Sequence, residues 1–177
     1  SVASVDQTAA RVVSNGGATL REGFDIPGVG RIAIVADLQG AILALFKGTT
    51  GDPQPAEGPG SWWWNELWCR SAEDALQFYK SVFGYTHDSM DMGAQGTYYL
   101  LKKGELMRGG LMRAPMPGTP PLWVPYVAVT DCDATAAKAG SLGAQVIVPP
   151  TDIPNVGRFA TLIDPQGACI AFMKPFD

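Results

Sequence analysis

The stretch Asp25-Ile-Pro-Gly-Val-Gly-Arg-Ile-Ala-Ile-Val-Ala-Asp-Leu-Gln-Gly-Ala-Ile-Leu-Ala-Leu-Phe-Lys47 returns 127 positions later as Asp152-Ile-Pro-Asn-Val-Gly-Arg-Phe-Ala-Thr-Leu-Ile-Asp-Pro-Gln-Gly-Ala-Cys-Ile-Ala-Phe-Met-Lys174. The match runs back without a gap to Val2 and Val129, with about twenty identities over the first 47 residues, well beyond chance. A repeat of this length marks a structural unit used at least twice. It also allows the chemistry of the two copies to be compared position by position.

Around the second copy the unit is complete. Residues 123–129 read as a strand, and Asp131 or Asp133 can cap a short helix through Ser141 with Gly143 at its C-terminal end. Residues 145–148 form a second strand. Residues 157–163 and 168–173 form a hairpin across Asp164-Pro-Gln-Gly167, which has Asp, Pro and Gly where a type I turn wants them. The order is βαβββ. Residues 62–113 follow the same plan with a different sequence. A strand over 63–69 leads to Ser71 and Asp74 in capping-box spacing. Ala75, Phe78, Tyr79, Val82 and Phe83 then give a helix its apolar face, and strands follow over 85–92, 97–102 and 106–113. The first copy keeps its helix (6–14), later strands and hairpin, but its first strand is only a stub at Val2. Glycine and proline mark a linker over 48–61 and a shorter break over 114–121. The expected fold class is α+β: a truncated βαβββ module at 1–47, the linker 48–61, and a domain over 62–177 built from modules 62–113 and 122–177.

Composition narrows the function. The 177 residues are 46% hydrophobic and 17% charged, as in a folded globular chain. A net charge of -4 leaves no basic stripe for nucleic acid or an anionic membrane. No apolar run reaches the length of a spanning helix. Three cysteines (Cys69, Cys132, Cys169), odd in number and without metal-type spacing, suggest reduced thiols in a cytoplasmic protein.

Three features together carry a resemblance: the βαβββ order, the helix Phe78-Tyr79 followed by Val82-Phe83-Gly84-Tyr85, and the Asp-Pro-Gln-Gly hairpin. The chain resembles the glyoxalase / bleomycin-resistance / extradiol-dioxygenase superfamily, the vicinal oxygen chelate proteins. Trp64-Asn-Glu-Leu and Pro154-Asn-Val-Gly-Arg-Phe point to one subgroup. The resemblance implies that modules 62–113 and 122–177 pair their sheets into a ligand-holding cup. It also implies that relatives with four modules carry a first module and the start of a second that are missing from this sequence.

In that family, metal-dependent members hold their ion through a His or Gln early in a module's first strand and a Glu in its last. Mapped onto this sequence, those positions fall at Trp64 and Val124, and at Ala171 with its repeat partner Ala44. In the middle module the last-strand position falls at Gly110 or Leu111. None is a donor, and the single histidine, His87, cannot build a two-His site, so the expectation is no metal and no cofactor.

Strand alternation puts Trp64, Glu66 and Trp68 on one face, with Leu67 and Cys69 behind them. The same rule groups Val124, Tyr126 and Ala128, and in the last strand Cys169, Ala171 and Met173. The expected ligand-binding residues are therefore Trp64, Glu66, Trp68, Tyr126, Cys169 and Met173, an aromatic and apolar lining with one carboxylate. A bland alternative makes Trp62, Trp63, Trp64 and Trp68 core or interface residues, and Glu66 a rim carboxylate paired with Arg70 or Lys102. Arg31 and Arg158, as repeat partners, read as structural. The leading function is metal-independent binding of a small apolar or cationic aromatic molecule, sequestration of the bleomycin-resistance, antibiotic-resistance kind. The alternative is a glyoxalase-like lyase or isomerase, or a hydroxylase, with Glu66 or His87 as catalytic base or a metal at an unrecognised site. The unpaired first module predicts a homodimer through its open face.

Overall fold

A computed structural model describes residues 1–52, 54 and 56–176; Pro53 and Pro55 of the expected linker, and Asp177, lie outside the described residues. The element order is α1 (Val5–Ser14), β1 (Ala18–Ile26), β2 (Gly30–Ala36), β3 (Ile42–Gly48), β4 (Trp62–Cys69), α2 (Ala72–Phe83), β5 (Thr86–Asp91), β6 (Thr97–Lys103), β7 (Leu106–Arg113), β8 (Leu122–Ala128), α3 (Cys132–Ser141), β9 (Gln145–Ile153), β10 (Gly157–Ile163) and β11 (Cys169–Pro175). The class is α+β. Each helix starts at a side-chain cap: Ser4 Oγ accepts from the Gln7 amide, Ser71 Oγ from Asp74, and Asp131 Oδ1 from Ala134. Gly84, in the left-handed region at φ 66°, closes α2.

The contacts group the chain into two compact units, Ser1–Pro53 with Glu66–Trp123, and Gln54–Asn65 with Val124–Asp177. In the first unit β1, β2 and β3 form an antiparallel sheet, and β5, β6, β7 and β4 lie side by side in that order. β4 runs parallel to β7, and the other neighbours in that run are antiparallel. One core joins the two parts. Val5, Ala9 and Val12 of α1, with Val35 and Leu45 behind them, pack in the same cluster as Leu67, Ala75, Leu76, Phe78, Tyr79 and Val82. The first module thus shares its core with the second, a grouping by packing that the repeat does not reveal. In the second unit the order is β8, β11, β10, β9, with α3 packed through Cys132 and Ala136 on Ala160.

The repeat is visible atom by atom. Val2 N donates to Phe46 O at 2.8 Å, and its counterpart Val129 N donates to Met173 O at the same distance, so the stub at Val2 keeps the first strand's bond. A side chain at Gly30 would strike the Lys47 carbonyl oxygen, and one at Gly157 that of Lys174. Gly28 and Asn155, also repeat partners, both take the left-handed conformation, at φ 74° and 61°.

Arg31 donates to Asp6 on α1 and Asp25 on β1; Arg158 donates in the same way to Asp133 on α3 and Asp152 on β9. These arginines tie helix to sheet, in keeping with a structural reading. The Arg158 hydrogen bonds hold the Asp133 carboxyl below its ordinary range. A carboxylate with a depressed folded-state pKa adds stability above its unfolded pKa of about 4, and that stability is lost as pH falls through the folded value. Urea midpoints at pH 7 and pH 3 should therefore differ more in the wild type than in Arg158→Gln. An equal acid sensitivity in both would show that the tie contributes nothing to the pH dependence.

One strand differs from expectation. β9 continues to Ile153 through Pro149 and Pro150 instead of stopping at 148. It is the last strand of its run, where a missing N–H need not break a ladder, and its register with β10 shifts beside the prolines.

Candidate functional site

In β4 the alternation sends Leu67 and Cys69 into the core beneath α2, and Glu66 and Trp68 to the opposite face. The neighbouring strands extend that face. Glu66 pairs with Gly110 and Trp68 with Met112 on β7; Gly110 in turn pairs with Leu100 on β6, and Tyr98 stands one alternation away. Glu66 is only 8% exposed and Trp68 2%. The carboxylate accepts from Trp68 Nε1 at 2.7 Å on Oε1 and from Tyr98 OH at 2.8 Å on Oε2. Glu66 is therefore not a rim group. Lys102 pairs instead with Asp88 at 3.0 Å, and Arg70 reaches the Gln39 carbonyl.

His87 pairs with Leu101 on β6 and sets its ring against Tyr99, 5.7 Å between centroids. Leu101 belongs to the core on the α2 side. The structure thus puts His87 on the other face of the strands from Glu66, and the two cannot act together as the acid and base of one site.

In the second unit, Tyr126 pairs with Ala171, Ala171 with Thr161, Met173 with Phe159 and Cys169 with Ile163. These side chains share the face away from α3, where Tyr126 and Phe159 rings lie 6.3 Å apart. Tyr126, Cys169 and Met173 are thus brought to one face. The Thr161 hydroxyl on it is fully buried with no hydrogen-bond partner among the described residues. Trp64 is half-buried, while Trp62 and Trp63 are exposed. Burial pushes the Cys169 thiol up to about 11, and burial followed by Asp37 and Glu73 pushes Cys69 up to about 12, so both are poor nucleophiles at neutral pH.

The sequence gives little sign of two polar groupings in the first unit. Tyr98 and Tyr99 are adjacent tyrosines, and only the hairpin register decides which one meets Glu66. The turn of the first module is the second case. Asp37 accepts from the Gln39 and Ala41 amides at 2.8 and 2.9 Å and from the buried Tyr79 hydroxyl at 3.0 Å, and that oxygen accepts from Trp123 Nε1 at 2.9 Å. Burial, then the neighbouring Asp37 charge, raises the Tyr79 pKa well above its ordinary value, so the phenol stays a donor. Gln39 closes the junction between β4 and α2: its Oε1 accepts from the Arg70 and Ser71 amides, and its Nε2 donates to the Ser71 carbonyl at 2.6 Å.

The positions where a metal would be held in this fold do not fit one. Trp64 and Val124 occupy the first strands. Gly110 stands opposite Glu66, and Ala171 opposite Tyr126, in the last strands. Among the described residues no three His, Cys, Asp or Glu side chains come together.

Comparison with known proteins accords with this architecture. The chain is 44% identical over 175 residues to a protein named "Putative glyoxylase CFP32" from Mycobacterium tuberculosis, covering 98% of this chain and 67% of that protein. It is 35% identical over 166 residues to the anthracycline biosynthesis protein DnrV of Streptomyces peucetius, covering 92% of this chain and 59% of the other. No protein-family model matches. Among solved structures, the Mn(II)-bound glyoxalase from Novosphingobium aromaticivorans matches with a TM-score of 0.63 at 16% identity, over 98% of this chain and 59% of that one. The 2,2',3-trihydroxybiphenyl 1,2-dioxygenase from Sphingomonas wittichii gives 0.62 at 13% identity, over 95% and 65%. These structures share the fold. The chain belongs to the glyoxalase / bleomycin-resistance / extradiol-dioxygenase superfamily, the vicinal oxygen chelate proteins.

Proposed function

We propose that the protein binds a small, flat apolar or cationic aromatic molecule against Glu66, Trp68 and Tyr98, without a metal, and acts by sequestering it. The observation that carries this reading is the buried Glu66 carboxylate, engaged on both oxygens by an indole N–H and a phenol. Held in that way, it serves better as a fixed negative charge in an aromatic wall than as a proton acceptor. Aromatic faces attract a cation by about 0.5–2 kcal/mol, and the carboxylate adds to that. One relative is named for anthracycline biosynthesis. Anthracyclines are flat polycyclic aromatics with a cationic amino sugar, the kind of ligand such a wall suits.

Doxorubicin is a suitable probe, followed through its own fluorescence. Saturable binding is expected, weakened about tenfold in Glu66→Gln, which corresponds to about 1.4 kcal/mol, and indifferent to chelators. Equal affinity in wild type and Glu66→Gln would remove the carboxylate from the site. The second reading, a lyase, isomerase or hydroxylase, draws on the glyoxylase name of the mycobacterial relative. Stoichiometric zinc, nickel, manganese or iron in the purified protein would favour it over sequestration.

A further inference from the structure

We infer that the first unit carries a second binding site, for an organic anion with an apolar body, in the cleft where β4 and β7 end. The cleft has a volume of about 840 Å³, against about 120 Å³ for a smaller cavity beside Tyr79 and Trp123. That falls within the roughly 300–1,000 Å³ of small-molecule sites. Its lining does not include Glu66, Trp68 or Tyr98, although Met112 on it is the ladder partner of Trp68.

Two arginines line it. Cys69 and Arg113 are Cα partners in the parallel ladder, and Arg70 follows Cys69 directly. With strands about 4.8 Å apart and consecutive Cα atoms about 3.8 Å apart, the two arginine backbones lie within about 9 Å. Arg31, Arg158 and Lys102 all have carboxylate partners. Among the described residues, Arg70 and Arg113 have none. Arg70 is held in place all the same: its Nη2 donates to the Gln39 carbonyl at 2.8 Å and its amide to Gln39 Oε1 at 2.8 Å. The one carboxylate on the lining, Glu73, accepts from Tyr99 OH at 3.4 Å.

The rest of the lining is mixed: Cys69, Ala72 and Met112 are buried and the Pro115–Pro117 stretch adds apolar surface, while Ser71, Gln95 and Thr119 add polar groups. In a chain of net charge -4 this is a local positive spot beside apolar side chains. An oxyanion, carboxylate or phosphomonoester, would engage the guanidinium groups while its apolar body lies against Met112 and the Pro115–Pro117 stretch.

Calorimetric titration of the full chain with phenyl phosphate and with benzoate tests this, with inorganic phosphate and benzylamine alongside. At least one aryl anion should bind saturably, more tightly than inorganic phosphate, and benzylamine should not compete. Binding only of phenyl phosphate would assign the site to phosphomonoesters, and binding only of benzoate to carboxylates; either supports it. Arg113→Gln, at an exposed strand end, should weaken binding up to about fivefold, as for a solvent-accessible charge contact, while Glu66→Gln leaves it unchanged. Arg70→Lys, which keeps the charge but loses the planar fork, should weaken it as well. The inference fails if neither aryl anion binds, if inorganic phosphate binds as well as they do, or if both arginine variants bind like the wild type.

Discussion

Replacing Asp37 by alanine should lower stability by about 3 kcal/mol, one of the largest effects available from a single side chain outside the hydrophobic core. The carboxylate is 3% exposed and accepts three hydrogen bonds, two from backbone amides in its own turn and one from Tyr79. Alanine strands all three donors away from water, at about 1–3 kcal/mol each but not additively. It also leaves the Tyr79 hydroxyl, among the described residues, with the Trp123 indole as its one hydrogen-bond partner. Asparagine keeps one carboxamide oxygen for the turn amides and should cost about half as much. The repeat supplies an internal control. Asp164 accepts from the Gln166 and Ala168 amides in the same turn, but it is half-buried and, among the described residues, recruits no tyrosine. Asp164→Ala should therefore cost clearly less. Urea unfolding followed by tryptophan fluorescence reads all three. Equal losses from Asp37→Ala and Asp164→Ala would mean that the bond to Tyr79 contributes nothing beyond the turn.

That comparison also marks how far the sequence could be read. The duplicated phrase predicts the turn, the strands on either side and the strand-entry glycines, because each depends on local backbone geometry that identical residues reproduce. The frame of β4, with Glu66 and Trp68 opposite Leu67 and Cys69, follows from alternation alone. Local patterns do not reveal that Asp37 and Gln39 would be used to join the first module to the second, while Asp164 and Gln166 are not. Their identities are the same, and the difference lies in what packs against them. His87 illustrates the limit from the other side: nothing in its neighbours sets its face, which is fixed by pairing with Leu101, a long-range register. The role of Tyr98 is hidden for the same reason. Polar networks assembled from separate strands leave no periodic trace in any one of them.

Trp68→Ala should be the most damaging change near the candidate site, costing about 3–5 kcal/mol, because the indole is 2% exposed and its removal opens a cavity the size of the ring. A loss of ligand binding in that variant alone would not separate a missing contact from a disturbed β4. Trp68→Phe does separate them. Phenylalanine keeps most of the packing but removes the N–H that Glu66 Oε1 accepts at 2.7 Å. The stability cost should fall to about 1.5–3 kcal/mol, the range for a hydrogen bond to a charged group. Tyr98→Phe removes the other donor, on Oε2, from a half-buried position and should cost less. If the two donors hold the carboxylate for a ligand, each single change should weaken doxorubicin binding. The double change should weaken it by more than either single change, since the carboxylate then loses both of these donors. Urea unfolding and fluorescence titration of the four proteins measure both quantities. Doxorubicin affinity that survives the double change, in a protein that remains folded, would place the ligand elsewhere and leave Glu66, Trp68 and Tyr98 as a structural knot of the first unit.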